Sequence, residues 1–310
     1  MGHEPHDHGP TDYGKAFLIG IILNGGFIIL EVIFGYFADS LALLADAGHN
    51  LADVLGLVLA WVASELAKRN ASARRTYGWK RSTILAALFN ALLLLIGVGA
   101  IFWEAIKRFY EPASVSGGTV IWVAGLGIVI NGITALLFMS GRKSDLNIRG
   151  AFLHMAADAG VSAGVMIAGA VIWYTGWGWL DPSVSIAVGI LILLSTWSLF
   201  LDSFNLSLDA VPGDVDIETV RKYFSSLPEV TEIHHLHIWP LSTTEVALTA
   251  HLVKKDPGLD DDLLSRISDD LHHKFAIDHP TIQFEAAEAA CNDKAGENGP
   301  ENRSTKEQTE

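Results

Sequence analysis

Six long apolar segments constrain the fold of this 310-residue chain more than any other feature of its sequence. They cover residues 16–38, 41–63, 83–103, 119–140, 151–174 and 183–201. Each has about 20 residues, the length with which an α-helix crosses roughly 30 Å of hydrocarbon. We therefore predict a polytopic α-helical membrane protein whose six transmembrane helices lie between residues 16 and 208.

Lysine and arginine residues are divided unevenly between the predicted loops. Six lie between the second and third apolar segments and three precede the fifth, whereas the opposite side has two, Lys107 and Arg108. Short loops rich in these residues stay in the cytoplasm. The first 15 residues are polar and resemble no cleavable signal, so we expect the first span to be retained. Both termini, including the His-containing residues 1–15, are predicted to be cytoplasmic.

The composition changes after the sixth segment, where Pro212 and Gly213 indicate a linker. Residues 209–290 show helical spacing and β-forming runs in the order helix, strand, strand, helix, strand, which predicts a small cytoplasmic α+β domain. From residue 212 onward there are 20 acidic and 9 basic residues, so we expect no binding of nucleic acid. The polar residues 291–310 are predicted to be a disordered tail.

Two of the apolar segments contain the same pattern of one histidine and one aspartate. His49 and Asp53 lie four residues apart in the second segment, and His154 and Asp158 have the same spacing in the fifth. Residues with this spacing lie on one face of a helix, so two such faces together would offer the four N and O ligands of a tetrahedral Zn²⁺ site. The alternative, hydrogen bonding between helices, is less favourable because each ionisable group costs about 2.5–3.5 kcal/mol in the bilayer centre.

Other polar residues in the first two segments are candidates for supporting roles. Asp46, Asn50, Asn24 and Glu31 are expected to orient the ligands or to carry protons. His154 lies close to the beginning of its apolar segment, whereas His49 lies deeper. We therefore predict that the fifth helix extends backward through residues 144–150 and that a water-filled cytoplasmic cavity leads to the site.

The proposed ligands suggest a coupling mechanism. Metal binding requires neutral histidine and ionised aspartate, so protons and Zn²⁺ compete for the same atoms. Because the unperturbed pKa of histidine is about 6.5, this competition is effective at physiological pH. Proton-coupled antiport follows. A metallohydrolase would need an open ligand position and a base, and a channel would need weaker binding. A metal-sensing receptor without transport remains an alternative.

Several longer motifs resemble the cation diffusion facilitator family, in particular its zinc-type bacterial cobalt, zinc and cadmium efflux members. They are LALLADAGHNLADVLGLVLAW, YGWKRSTILAALFNALLLL, HMAADAGVSAGVMIAG and HLHIW with VALTAHLV and TIQFE, within residues 12–288. The resemblance implies a homodimer in the bacterial inner membrane, with a metallochaperone-like cytoplasmic domain. It further implies a secondary transporter and no enzyme. The expected substrate is Zn²⁺, with Cd²⁺ and Co²⁺ as further substrates, and the alternatives are Ni²⁺, Fe²⁺ or Mn²⁺.

The same resemblance assigns metal-binding residues. The transport site is assigned to His49, Asp53, His154 and Asp158. A regulatory zinc site in the cytoplasmic domain is assigned to His234, His251 and Glu285, with His279 near by. On a regular strand His235 and His237 share one face and His234 occupies the other, so His237 is expected to be structural.

Two further expectations concern charged and metal-binding side chains near the ends of the membrane domain. A basic residue of the YGWKR motif, such as Lys80, is expected to pair with Asp209 at the end of the sixth span. In the N-terminal segment, His3, His6 and His8 could capture metal weakly.

Overall fold

The computed structural model describes residues 14–139, 146–255, 258 and 260–286 of the chain. Six helices in this part are long and apolar enough to cross a membrane, which confirms the predicted number. They are α1 (Gly14–Phe37), α2 (Leu41–Ala67), α3 (Ser82–Tyr110), α4 (Gly117–Phe138), α5 (Leu146–Thr175) and α6 (Leu180–Ser207). Most extend beyond their apolar segments because backbone hydrogen bonding continues into the flanking polar residues. The histidines at positions 3, 6 and 8 and the predicted disordered tail lie outside the described residues.

The start of α5 agrees with the predicted backward extension of this helix. It begins at Leu146, five residues before the apolar segment. His154 therefore lies about 12 Å along the helix axis from its first residue, at 1.5 Å per residue. His154 thus lies two turns inside the helix, where it faces Asp53 of α2.

The chain divides into two compact units, the first of which contains residues up to 66 and residues 85–203. Within it, α4 packs along α5, and α1 packs against α4. Glycines permit this close approach: a Cβ atom at Gly169 would lie 2.8 Å from Val120 Cγ1. Small residues at helix contacts are a general feature of membrane bundles. Ala42 and Leu43 of α2 pack in the same core, so α1, α2, α4 and α5 surround the polar residues described below.

The second unit contains residues 67–84 and the chain from residue 204 onward. After residue 207 it consists of α7 (Ile217–Ser225), β1 (Val230–Pro240), β2 (Val246–Lys254), α8 (Asp261–Phe275) and β3 (His279–Ala286). The sheet order is β1-β2-β3, with β1 and β2 antiparallel and β2 and β3 parallel. Phe224 and Ile267 from the helices and Leu248 and Leu252 from β2 are fully buried in its core. The predicted α-β-β-α-β order is confirmed.

Both helices of this unit begin at an aspartate that caps them. Asp216 accepts a hydrogen bond from the backbone N–H of Glu218, and Asp260 accepts one from Leu263. Such caps satisfy N–H groups that have no partner within the helix. Helix α8 ends at Phe275, and the residue that follows it, Ala276, has a φ of 54°. These boundaries fix where β3 begins and therefore where its side chains lie.

Residues 67–84 contact the rest of the second unit through two ion pairs. Arg81 pairs with Asp209, whereas Lys80 pairs with Glu245. The expected pair is thus present, but Lys80 was the wrong partner for Asp209. Lys80 and Arg81 lie in the turn before α3, and their side chains reach different carboxylates.

Candidate metal centres

Four side chains from α2 and α5 converge within the first unit. His154 Nε2 lies 3.3 Å from Asp53 Oδ2 and 3.6 Å from Asp158 Oδ2. His49 Nε2 lies 3.6 Å from Asp53 Oδ2 and 4.0 Å from Asp158 Oδ1. Each imidazole therefore faces both carboxylates. Neighbouring ligands of a tetrahedral Zn²⁺ are about 3.3 Å apart, given bonds of 2.0–2.1 Å. The two predicted pairs meet at nearly this spacing.

Burial differs strongly among the four side chains. The Asp158 side chain is 5% exposed and the His49 side chain 20%, whereas the values are 31% for Asp53 and 44% for His154. Three buried polar atoms, Nδ1 of His49, Oδ2 of Asp53 and Oδ2 of Asp158, make no well-directed hydrogen bond to a described residue. Buried polar atoms normally have partners, so this cluster fits a bound cation.

The supporting residues form a polar group deeper in the same bundle. Asn50 donates a hydrogen bond to Glu31 Oε2 at 3.3 Å, and Ser162 donates one to Asp46 Oδ2 at 3.3 Å. Glu31 and Asp46 are almost completely buried. Ser162 did not emerge from the sequence, although it lies one turn after Asp158 on α5. Its position would have been visible as an i+4 partner of that aspartate.

A cavity of about 260 Å³ reaches the ligands from one end of the bundle. Asp53 and His154 lie on its wall, together with Asn24, Asn50 and Met155. The remaining lining residues also belong to the beginnings of α1 and α5, the second half of α2 and the end of α4. Asp158, by contrast, is not part of the lining. The exposed pair of ligands therefore faces the cavity, as their exposed fractions also indicate.

The other end of the bundle is held together by a buried carboxylate that the sequence analysis did not identify. Asp181, the second residue of α6, accepts hydrogen bonds from Ser40 Oγ at 2.6 Å and from the backbone N–H of Leu41 at 2.7 Å. Arg108 on α3 approaches the same carboxylate at 3.6 Å and also binds the carbonyl oxygen of Asp39. Asp181 lies just before the sixth apolar segment, and the sequence alone does not indicate that it binds the start of another helix.

A second cluster of possible metal ligands lies on the sheet of the second unit. His234 Nε2 is 3.1 Å from Glu285 Oε2, and His251 Nδ1 is 2.7 Å from Glu285 Oε1. One ligand atom from each residue lies within 4.8 Å of the others. Gln283 donates a hydrogen bond to Glu285 Oε1 at 2.8 Å and so orients the carboxylate. Three of the four residues expected at this site are together.

The fourth expected residue, His279, lies elsewhere. It is at the first position of β3, whereas Glu285 is near the end of the same strand. Its Nε2 atom lies 3.1 Å from Glu245 and 3.3 Å from Lys80 Nζ. Six residues of extended strand span about 20 Å, which is too far for both residues to bind one ion. The placement of His279 near the cytoplasmic site was therefore wrong.

The expectation that His235 and His237 share one face of β1, with His234 on the other, is also wrong, because the strand is irregular at His235. A register shift between His234 and His237 interrupts the pairing with β2. His235 has a φ of 50°, and its ring centroid lies 5.3 Å from that of His234 and 5.0 Å from that of His251. A bulge inserts an extra residue and so breaks the two-residue period. His237 remains exposed on the strand.

Comparison with known proteins identifies both units. The family model for the cation efflux transmembrane domain matches residues 17–206, and that for the cation efflux protein cytoplasmic domain matches residues 212–287. The metal cation efflux system protein CzcD of Cupriavidus metallidurans is 40% identical over 288 residues, covering 92% of this chain and 90% of that protein.

Two other relatives have names that describe their substrates. The cadmium, cobalt and zinc/H(+)-K(+) antiporter of Bacillus subtilis is 38% identical over 300 residues, 95% of each chain. The zinc transporter ZitB of Escherichia coli is 38% identical over 285 residues, 91% of this chain and 90% of that protein. Membership of the family also makes the chain a multi-pass protein of the bacterial inner membrane, and no enzyme. The chain belongs to the cation diffusion facilitator family of metal efflux transporters.

Proposed function

We propose that this protein exports Zn²⁺ from the cytoplasm in exchange for protons, with His49, Asp53, His154 and Asp158 as the transport site. The convergence of these four side chains carries the proposal. Two imidazoles and two carboxylates suit Zn²⁺, and their number completes a tetrahedral shell. Two ionised aspartates also cancel the charge of the ion. This neutrality is important because uncompensated charge within a bilayer is costly.

Access from one side supports transport rather than static binding. The cavity at Asp53 and His154 lies at the end where α1 and α5 begin. Basic loops adjoin this end in the sequence, so we assign it, and both termini, to the cytoplasm. The opposite end is held by the hydrogen bonds of Asp181. The described conformation is then inward-facing, and release to the outside requires these bonds to break.

Protons provide the coupling in this proposal. Zn²⁺ binds to the deprotonated ligands, so its arrival from the cytoplasm releases protons from the site. In the outward-facing state protons rebind and displace the metal. The empty, protonated site then returns to the cytoplasmic side. Each ligand thus participates in both halves of the exchange, and no separate carrier is required.

The second unit is proposed to regulate this cycle. Zn²⁺ bound by His234, His251 and Glu285 would sense the cytoplasmic concentration. The family model that matches residues 212–287 is named for a dimer domain, and this name supports a homodimer. Because the Bacillus subtilis relative is named for cadmium and cobalt as well as zinc, Cd²⁺ and Co²⁺ are the next substrates to test.

The test uses purified protein in liposomes that contain a fluorescent zinc indicator. We expect an imposed pH gradient to drive Zn²⁺ flux, and Asp53→Ala or Asp158→Ala to abolish it. Asp202→Asn, which changes an exposed carboxylate on α6, is the matched control and should retain flux.

Two outcomes would contradict the proposal in different ways. Zn²⁺ flux that ignores the pH gradient would refute proton coupling while leaving transport intact. Binding of Zn²⁺ without flux would instead favour a metal-sensing receptor. Competition with Cd²⁺ and Co²⁺ in the same vesicles tests the choice of metal.

A further inference from the structure

Three histidine rings lie close together on this part of the sheet, and two of them, those of His234 and His251, contact the carboxylate of Glu285. The ring centroids of His234 and His251 are 5.3 Å apart. Those of His235 and His234 are also 5.3 Å apart, and those of His235 and His251 are 5.0 Å apart. The three imidazoles therefore form a nearly equilateral triangle. His235 is partly buried, as are its two neighbours.

The separations of the three rings allow His235 to bind the same tetrahedral ion as His234 and His251, although among the described residues only His234, His251 and Glu285 already have ligand atoms within 4.8 Å of one another. With Zn–N bonds of 2.0–2.1 Å, each ring centroid lies about 3.2 Å from the metal, so two centroids are about 5.2 Å apart. All three observed separations lie within a few tenths of an ångström of this value. The next histidine of the strand does not fit the pattern, since the centroids of His235 and His237 are 6.2 Å apart.

The backbone places His235 in this position by a conformation that is unfavourable for most residues. Its φ of 50° is in the left-handed region, and the pairing register shifts between His234 and His237. On a regular strand His235 would point to the opposite face from His234. Side chains with a Cβ atom adopt this region at a cost in free energy, and such strained residues concentrate at functional sites. The bulge turns His235 toward the side of the strand that holds the other ligands.

We propose that His235 is the fourth ligand of the cytoplasmic site, which then binds Zn²⁺ with three imidazoles and one carboxylate. This inference rests on the proposed regulatory site and adds its missing ligand. Four protein ligands leave no position for water, as in structural zinc sites. The hydrogen bond from Gln283 holds the carboxylate of Glu285 in place for the ion. A closed shell of this kind would hold zinc at the cytoplasmic site without a bound water molecule.

The experiment measures metal binding by the full-length protein in detergent. Asp53→Asn and Asp158→Asn together form the background, so that the transport site contributes little. In this background Zn²⁺ affinity is determined by competition with a chelating dye, and Co²⁺ serves as a spectroscopic probe of coordination. Every variant has the same N-terminal histidines, so differences between variants report on the sheet.

His235→Asn is the informative substitution because asparagine tolerates a positive φ and preserves the bulge. We expect the Kd for Zn²⁺ to rise by about 10- to 1000-fold and the intense visible absorption of tetrahedral Co²⁺ to weaken, since a ligand is lost. His237→Asn is the matched control on the same strand and should change neither quantity. An unchanged melting temperature of the metal-free protein excludes misfolding of His235→Asn.

The possible results separate this inference from the proposal on which it rests. An unchanged Kd and Co²⁺ spectrum in His235→Asn, with binding abolished in His251→Ala, would overturn the role of His235 alone. Unchanged binding in His251→Ala and Glu285→Gln as well would overturn the cytoplasmic site itself. Weaker binding in all three variants, with the His237→Asn control intact, supports both.

Discussion

The two aspartates of the transport site should contribute unequally to metal binding because they differ in burial. Asp158 is 5% exposed at its side chain, whereas Asp53 is 31% exposed and lies on the cavity wall. Replacing either by asparagine retains the shape but removes one negative charge. We expect Asp158→Asn to weaken Zn²⁺ binding more than Asp53→Asn. Water can reach position 53 and partly compensate for the lost charge there, whereas it cannot reach the buried position 158.

The size of the difference follows from the burial. Removing one partner of a buried charge pair costs about 3–5 kcal/mol. At 1.4 kcal/mol for each factor of ten, Asp158→Asn should raise the Kd by roughly 10²- to nearly 10⁴-fold. Exposed pairs contribute about 1 kcal/mol or less. Asp53 is intermediate, so about 1–3 kcal/mol, or roughly 5- to 150-fold, is expected.

The assay is a Zn²⁺ competition titration of the full-length protein in detergent at fixed pH. Glu285→Gln is included in every sample to weaken binding at the cytoplasmic site. Asp202→Asn again provides a carboxylate substitution away from the ligands and should leave the Kd unchanged. Melting curves of the metal-free variants show whether each remains folded.

Either of two results would refute the reasoning. If Asp53→Asn raised the Kd as much as Asp158→Asn, burial would not determine the contribution of each carboxylate. If Asp202→Asn weakened binding equally, the loss would reflect net charge rather than coordination.

Three further predictions concern packing and pH. Gly127→Ala should impair transport and lower the free energy of unfolding by about 1–3 kcal/mol, because its Cβ would lie 2.6 Å from the ring of Phe27 on α1. Gly132→Ala, whose Cβ would meet no atom within 4 Å, should have neither effect. Zn²⁺ flux and melting temperature test both variants. A hydrogen bond from Lys80 lowers the pKa of Glu245 below its usual 4.5. The pair therefore stabilises the second unit above pH 4.5, and this stabilisation is lost as the pH falls through the lowered pKa. The difference in melting temperature between wild type and Lys80→Met should shrink in acid. Leu248→Ala should destabilise the second unit by about 2–5 kcal/mol in denaturant titrations, since this side chain is fully buried, and a wild-type midpoint would contradict the core assignment.

Much of the fold was predictable because its main signals are local. An apolar segment of sufficient length must become a helix in a bilayer, since no other arrangement satisfies its backbone there. The spacing of four residues in His49 and Asp53, and again in His154 and Asp158, places each pair on one helix face. The order of elements in the second unit likewise follows from changes of apolar period along the chain.

The predictions that failed depended on how elements pack or where a strand is irregular. Lys80 and Arg81 are adjacent in sequence, and only the positions of Glu245 and Asp209 decide which carboxylate each one reaches. His279 is six residues from Glu285 on the same strand, so the extended geometry separates it from the site. A bulge at His235 has no strong sequence signal, because histidine is an ordinary strand residue.

The sequence by itself determined six spans, a terminal α+β domain and two helix faces, each with an imidazole and a carboxylate. Only the tertiary structure brought those faces together, buried Asp158 more deeply than Asp53, and joined the ends of three helices at Asp181. It also turned His235 toward His251. The physical reason is that helix and strand periods are set by neighbouring residues, whereas distances between elements are set by packing among residues far apart in the chain.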